Sequence, residues 1–341
     1  MTIADVAKAA AVNASTVSRV LNSRATVRAE TRLRIEEAVR HLGYSPSRAA
    51  KGLASSRTWT LGVLLPDIQN LMHVEFLRGA EHVVQQFGYS LVVADGQLRP
   101  DIQAAALERF FELRVDGIIV SRAFTLSHLL HPFEGAGVPV EPVEVATNQP
   151  VVGLEERWAG SLKAFRHLFA LGHRRVALFV HERADAPTRS QEMRARIDAL
   201  MKARDEYPPG EIVVHLAPAG VDADVLAQLT ELLDGPDRPT AVVAGNDWMT
   251  APLLGAIRDA SLILPTDISF LSYGDSRWAA AYRPPISVIR YNYYREGQVL
   301  ASRVLRRLGE PVDDELASQP LSADEFIDRG SMSAVTCPPL S

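Results

Sequence analysis

The sequence predicts a small all-α head joined by a short linker to a two-lobed α/β body built on parallel sheets. Three observations predict this. Capping residues and apolar stripes mark three short helices within the first 44 residues. β-rich apolar runs then alternate with amphipathic helical patterns, and the alternation starts again about half-way along the 341 residues. Charge divides the same way: residues 1–57 hold ten Lys and Arg against four acids, a net of +6 in a chain of −5, so the other 284 residues carry −11. A basic head on an acidic body points to a polyanion as the head's partner, with a solvated charge cluster as the plainer alternative.

The head is written in local signals. Thr2 and Asp5 have capping-box spacing, so a helix starts at Ile3 and runs to about Ala10 with Ile3, Val6 and Ala7 on one face. Asn13 caps a second helix, Ala14 to about Leu21, whose inner positions are Val17, Val20 and Leu21. Helices this short are marginal alone. The cover comes from "AETRLRIEEAVRHLGY", where Ile35, Ala38, Val39 and Leu42 form a stripe and Gly43 is a natural terminator. Three short helices with a tight turn between the first two describe a helix-turn-helix unit, whose second helix would enter the major groove; the plainer alternative is a small helical cap docked on the body with its polar face outward. Its outward residues are Ala14, Ser15, Ser18, Arg19 and Asn22, a set able to read base edges and hold phosphates. Arg19 suits either guanine or a phosphate, and the pattern leaves both open.

In "LGYSPSRAAKGLAS", Ser45 and Pro46 start a short helix that Gly52 weakens, and "ASSRTWT" reads as linker. The domains are therefore 1–44, a hinge and linker over 45–57, and the body over 58–341. In the body, "LGVLLP", a helix from about Met72 to Phe87, "YSLVVAD", a helix through "QAAALERFFELR" and "VDGIIVS" are βαβ units. After "GSLKAFRHLFALGH" the series resumes with "RRVALFV", "EIVVHLA", "TAVVAGND" and "ISFLSYGD". Ligands of such folds sit at the carboxyl ends of the strands, here between the lobes.

Exclusions are equally local. Cys337 is the single cysteine, so no disulfide framework or cysteine-rich metal site forms. The chain opens in polar helix-forming sequence, and no apolar run approaches the roughly 18 residues of a membrane span, which predicts a cytoplasmic protein away from membranes. Phosphate-binding, zinc-protease and nucleophile-elbow motifs are missing, and the nine histidines are scattered. Neither an enzyme nor a cofactor is expected.

The stretch "IADVAKAAAVNASTVSRVLN" resembles the DNA-binding signature of the lactose/galactose repressor (LacI) family of bacterial transcriptional regulators. In that signature D-V-A is followed at fixed spacing by V-S-x-x-T-V-S-x-x-L-N. Asp5-Val6-Ala7, Val12, Thr16-Val17-Ser18 and Leu21-Asn22 match. Ala11 stands where the family has glycine and Asn13 where it has serine; the expectation is that the turn needs only a small residue. The resemblance implies a homodimer on a palindromic operator of double-stranded DNA, with Thr2, Thr16 and Tyr44 joining the contacts above. It also implies a hinge helix in the minor groove, where Leu53 wedges between central base pairs beside Arg48, Ala50 and Lys51.

"GVLLPDIQN", "VDGIIVS", "LGHRRVALF", "AVVAGNDWM", "LPTDISFLSYGD" and "PPISVIR" resemble the LacI-family core, itself similar to periplasmic sugar-binding proteins. That likeness implies interlobe crossings near Val152–Glu155, Ser287–Tyr291 and Ser318–Ser322. Lobe 1 would hold about 60–152 and 290–318, lobe 2 about 153–288 and 320–335, with a small-molecule effector between them.

The family's pocket offers Asp-Asn after the last strand of the first lobe, Arg in R-x-x-G-F and Asp in F-D-D, because a polyol needs paired acceptors and a forked donor. Here Glu155 and Glu156 replace Asp-Asn, Gly274 replaces the first aspartate of F-D-D, and Asp275 keeps the second. The arginine stays open between Arg189, which keeps an R-x-x-x-Met shape, and a register that places Glu192 there. Asn246 remains in place, with Asp247 beside it. His73, Arg122 and Arg189 offer positive charge to an anionic sugar derivative; Asn70, Met72 and Trp278 complete the expected pocket, the last two as apolar walls. The competing reading is a degenerate pocket in a regulator that is constitutive or controlled by a protein partner. More remote are a small-molecule binding protein and an α/β enzyme.

Overall fold

Thr2 opens α1 (Ile3–Ala9) with a full capping box: its hydroxyl accepts from Asp5 N at 3.4 Å while Asp5 Oδ2 accepts from Thr2 N at 2.7 Å. The Thr2 N–H and the Thr2 hydroxyl, both donating to Asp5 Oδ2, hold the Asp5 carboxyl below its ordinary range. Helices α2 (Ala14–Leu21) and α3 (Ala29–Leu42) follow, and α3 ends at Gly43 in the left-handed region, with Tyr44 N donating to Val39 O at 3.0 Å. Val6, Val17 and Ile35 are fully buried at the point where the three helices meet. The computed structural model describes residues 1–21, 27–44, 57–97, 99–120, 127–142, 156–182, 191–207, 212–218, 222–236 and 238–335. Contacts divide the chain into one unit over Met1–Trp59 and another over Thr60–Ser341.

The turn between α1 and α2 asks for more than a small residue. Ala11 has φ 49°, in the left-handed region where any side chain is strained by about 1–2 kcal/mol. Glycine would remove that strain but lose more backbone entropy on folding. Ala11→Gly is therefore expected to stabilise the head by about 0.5–1 kcal/mol, read as slower amide exchange in α1 and α2 of the full chain. Unchanged exchange would show that the turn absorbs the side chain without strain.

The first lobe is a parallel sheet of β1 (Thr60–Leu65), β2 (Ser90–Asp95), β3 (Gly117–Val120) and β4 (Val140–Pro142), in the order β2-β1-β3-β4. Its connecting helices are α4 (Leu71–Val84), α5 (Pro100–Glu112) and α6 (His131–Gly135). The helix expected to reach Phe87 stops at Val84, and a 3-10 turn over Gln85–Phe87 finishes it.

The second lobe contains α7 (Ala159–Ala170), β5 (Val176–Glu182), α8 (Gln191–Asp205), β6 (Ile212–Pro218), α9 (Asp222–Asp234) and β7 (Ala241–Ala244). It continues with α10 (Asp247–Asp259), β8 (Ser269–Tyr273), α11 (Arg277–Ala281) and β9 (Ser287–Arg290). Strands β1, β3, β7 and β8 are buried almost throughout because helices cover both faces of each sheet, which is why they read as unbroken apolar runs.

After β9 the chain leaves for the first lobe, where α12 (Tyr293–Arg307) packs on α4 and β3 and α13 (Asp314–Ser318) packs on α12. It then returns as β10 (Glu325–Ile327), giving the second sheet the order β10-β9-β8-β7-β5-β6. β10 runs antiparallel to β9, so the expected parallel sheet carries one reversed edge strand. The crossing expected near Val152–Glu155 lies outside the described residues. Where α4 and α12 cross, a side chain at Gly79 would collide with the backbone of Tyr294, and one at Gly297 with the backbone of Phe76. Among the described residues no helix is long and apolar enough to cross a membrane.

Candidate functional site

Burial of Val17 and Val20 fixes how α2 is turned. Ala14, Ser15 and Arg19 are exposed on its outer side, and Thr16 and Ser18 are half-buried at its edges. Arg19 Nε donates to Ser15 O at 3.3 Å, which lays the guanidinium along the exposed face. Thr2 is exposed but its hydroxyl is engaged in the capping box, and Tyr44 leans on the head's core. Asn22, Arg48, Ala50, Lys51 and Leu53 lie outside the described residues.

A second cluster forms at the carboxyl ends of β7 and β8. Asn246 caps α10 by accepting from Met249 N at 3.0 Å. Asp247 is buried; its Oδ2 accepts from the Ser276 hydroxyl, while Oδ1 has no hydrogen-bond partner among the described residues. Burial pushes this carboxyl up. Gly274 has φ 106°, and a side chain there would come within 2.8 Å of Asp247 Cβ, so this backbone admits no aspartate at that position. Arg196, on α8, is buried, donates to Gly245 O and lies over the Tyr273 ring at 4.3 Å.

Asp275 is held by Arg329 through two donors, at 2.7 and 2.9 Å, and Trp278 packs on the second lobe's core. In the first lobe, Asn70 caps α4 by accepting from Met72 N at 3.1 Å, and His73 Nδ1 donates to Asp67 O at 2.5 Å. Met72 and His73 are half-buried, and α4 meets α10 of the other lobe. Of the remaining expected pocket residues, Arg122, Glu155 and Arg189 lie outside the described residues, and Glu192 is described only as part of α8's backbone. The described residues hold no cluster of three His, Cys, Asp or Glu able to bind a metal.

Residues 2–47 match the family model for bacterial regulatory proteins of the lacI family, and residues 165–332 that for the periplasmic binding protein-like domain. The chain is 30% identical over 315 residues to the HTH-type transcriptional repressor PurR of Aliivibrio fischeri, spanning 90% of this chain and 91% of that protein. The chain belongs to the LacI family. It shares 28% identity with catabolite control protein A of Priestia megaterium, over 94% of this chain and 96% of that one. It superimposes on the lac repressor dimer bound to operator and the anti-inducer ONPF with a TM-score of 0.78, at 26% identity, covering 98% of this chain and 99% of that one. The protein is thus a LacI-family transcriptional regulator with an N-terminal DNA-binding domain and a periplasmic-binding-protein-like core.

Arg196 escaped the sequence reading, although a signal for it was present. Arg196-x-x-Ala199-Leu200 is the LacI-family R-x-x-G-F pattern with Ala for Gly and Leu for Phe. The run "TRSQEMRARIDAL" holds three arginines, and without the helix start at Gln191 nothing said which one faces the strands.

Proposed function

We propose that this regulator is a repressor that binds a palindromic operator as a homodimer and answers to a small-molecule effector held between its lobes. The observation that carries the reading is α2: hydrogen-bonding Ser15 and cationic Arg19 stand exposed over the apolar seam of Val17 and Val20. Ile68, Leu71 and Val74 at the start of α4, with Val93 on edge strand β2, are large apolar side chains left in the open, as expected of a face that pairs with a second copy. Such a dimer supplies the two heads that a two-fold operator requires. Residues 45–57 are the hinge, with Leu53 the minor-groove wedge and Arg48, Ala50 and Lys51 beside it.

Arg196 is the effector-facing arginine of this reading. With no aspartate at position 274 to accept a sugar hydroxyl, and His73 on the opposite lobe, the cleft suits a ligand bearing a carboxylate or phosphate. The double hold of Arg329 on Asp275 favours a second reading, in which the cleft takes no small molecule and a protein partner sets the lobe angle.

Four experiments test this. Selection of random duplex DNA by the full-length protein is expected to return inverted half-sites, and sites without two-fold symmetry would overturn the dimeric reading. Arg19→Ala should relax the choice at one base pair by about 1–3 kcal/mol if the guanidinium reads a base; uniform weakening means a phosphate contact. A thermal-shift screen against sugars, sugar phosphates, sugar acids and nucleosides should find an anionic compound that raises the midpoint. Arg196→Met should weaken that ligand at least about tenfold, the loss of a charge-assisted hydrogen bond, with operator binding intact. A flat screen transfers the weight to the partner-controlled reading.

A further inference from the structure

Six residues form a continuous line from the second lobe's strand ends to the interior of the first lobe. Arg196 lies over Tyr273, whose hydroxyl donates to Ser161 Oγ at 2.9 Å. The Ser161 hydroxyl has one proton, and it goes to the Asp324 carboxylate; the same carboxylate accepts Gly160 N at 2.7 Å and Ser161 N at 2.9 Å. Asp324 N then donates to Arg157 O at 2.8 Å. The Arg157 guanidinium stands 3.8 Å from Glu296 Oε1. Every donor in this line points one way, from Tyr273 through Ser161 to Asp324, and Tyr273, Ser161 and Asp324 are all at least nine-tenths buried.

The last step changes lobes. Arg157 lies two residues before α7 of the second lobe, whereas Glu296 is on α12, which packs in the first. Glu296 is completely buried, and a carboxylate in a helix-packed interior is costly unless a cation faces it. Arg157 faces it across the crossing. Trp158, also completely buried, closes the junction by meeting Tyr291 edge-on at 5.7 Å and lying under the Arg157 guanidinium at 5.4 Å. At 3.8 Å the pair attracts but is longer than a hydrogen bond, so a change in lobe angle that brings the two groups closer would add a charge-assisted hydrogen bond to the attraction.

We propose that Arg157 and Glu296 are an interlobe latch, and that the Tyr273–Ser161–Asp324 line couples this latch to the occupancy of the cleft at Arg196. The role of Arg196 rests on the effector reading above; the latch itself does not. A ligand that moves the Arg196 guanidinium moves the ring beneath it, and the hydrogen-bonded line carries that shift to α12.

The test uses the ligand-free full chain and amide hydrogen exchange resolved by residue. Tyr273→Phe removes only the first hydroxyl, yet it is expected to speed exchange in α12 across the crossing by about twofold or more, the lower end of what network substitutions give. Glu296→Gln should reciprocate at the Gly160 and Ser161 amides. In the double variant the exchange should be no faster than in the more affected single one, because both changes break one line. Effects that stay within each variant's own lobe, or that add, overturn the proposal. The paired change Arg157→Met with Glu296→Met offers an apolar replacement should the glutamine disturb folding, since a buried ion pair is often replaced without loss when both partners become apolar. A flat effector screen beside intact cross-lobe coupling would reject the cleft reading alone; a positive screen with purely local effects would reject the latch alone.

Discussion

Gly297→Ala should cost the protein about 3 kcal/mol in denaturant unfolding of the full chain, and Gly79→Ala a similar amount. The reason is backbone against backbone. At the α4–α12 crossing each glycine faces a main-chain carbonyl of the other helix, so an added methyl has no flexible side chain to push aside. The helices must separate, opening the packing of Phe76, Ala80, Val299 and Leu300, all buried. Since α4 also carries Met72 and His73, the two side chains that the proposed effector reading assigns to the cleft move with it. Gly255, in the middle of α10, is the control: an added Cβ there meets nothing within 4 Å, so Gly255→Ala should stabilise by about 0.5–1 kcal/mol. Equal effects at positions 297 and 255 would mean that the two helices do not approach as closely as described.

The second large effect is a dependence on acidity centred on His173. This ring is 2% exposed, and Ser333 O, 3.1 Å from Nε2, can only accept. Nε2 therefore carries the proton, Nδ1 accepts, and the Thr240 hydroxyl donates to it at 2.9 Å. Burial lowers the pKa from 6.5 to about 4. Above pH 6.5 the ring is neutral in both folded and unfolded chains, and its contribution is complete. As the pH falls from 6.5 towards 4, the unfolded chain takes up a proton that the folded chain refuses, so stability is lost, by up to about 3 kcal/mol. His173→Gln is expected to flatten that part of the profile. Buried Asp247 and Asp324 have raised pKa values and act with the opposite sign, so the comparison of parent and variant isolates the histidine. A slope between pH 6.5 and 4 that survives the substitution would assign it elsewhere.

The head was legible because its signals are local: the Thr2–Asp5 pair, the valines of α2 and the glycine after α3 each act within four residues. The special backbone of Ala11 was not: the glycine that the family carries there was its one trace, and the expectation of a merely small residue missed the left-handed φ. In the body, strands covered on both faces announced themselves as apolar runs. β10 did not: Glu325–Ile327 has three residues with polar neighbours and exists because β9 offers an open edge. The cleft was least legible. Arg196 was hidden among nearby arginines, and the engagement of Asp275 by Arg329 joins residues 54 apart in sequence, beyond any spacing rule.

The placement of α12 in the first lobe also has a consequence for the order in which the protein is made. The strands of that lobe are among the first elements after the head, yet α12 follows α4 by about 200 residues. At ribosomal rates of about 5–20 residues per second, the glycine-bearing side of α4 waits roughly 10–40 s for its cover. Throughout that interval the nascent first lobe shows an apolar face, while the head, whose contacts all lie within its own residues, is free to fold at once. The lobe begun first is completed last, and a chain cut short before Tyr293 would carry a folded DNA-reading head on a body unable to close.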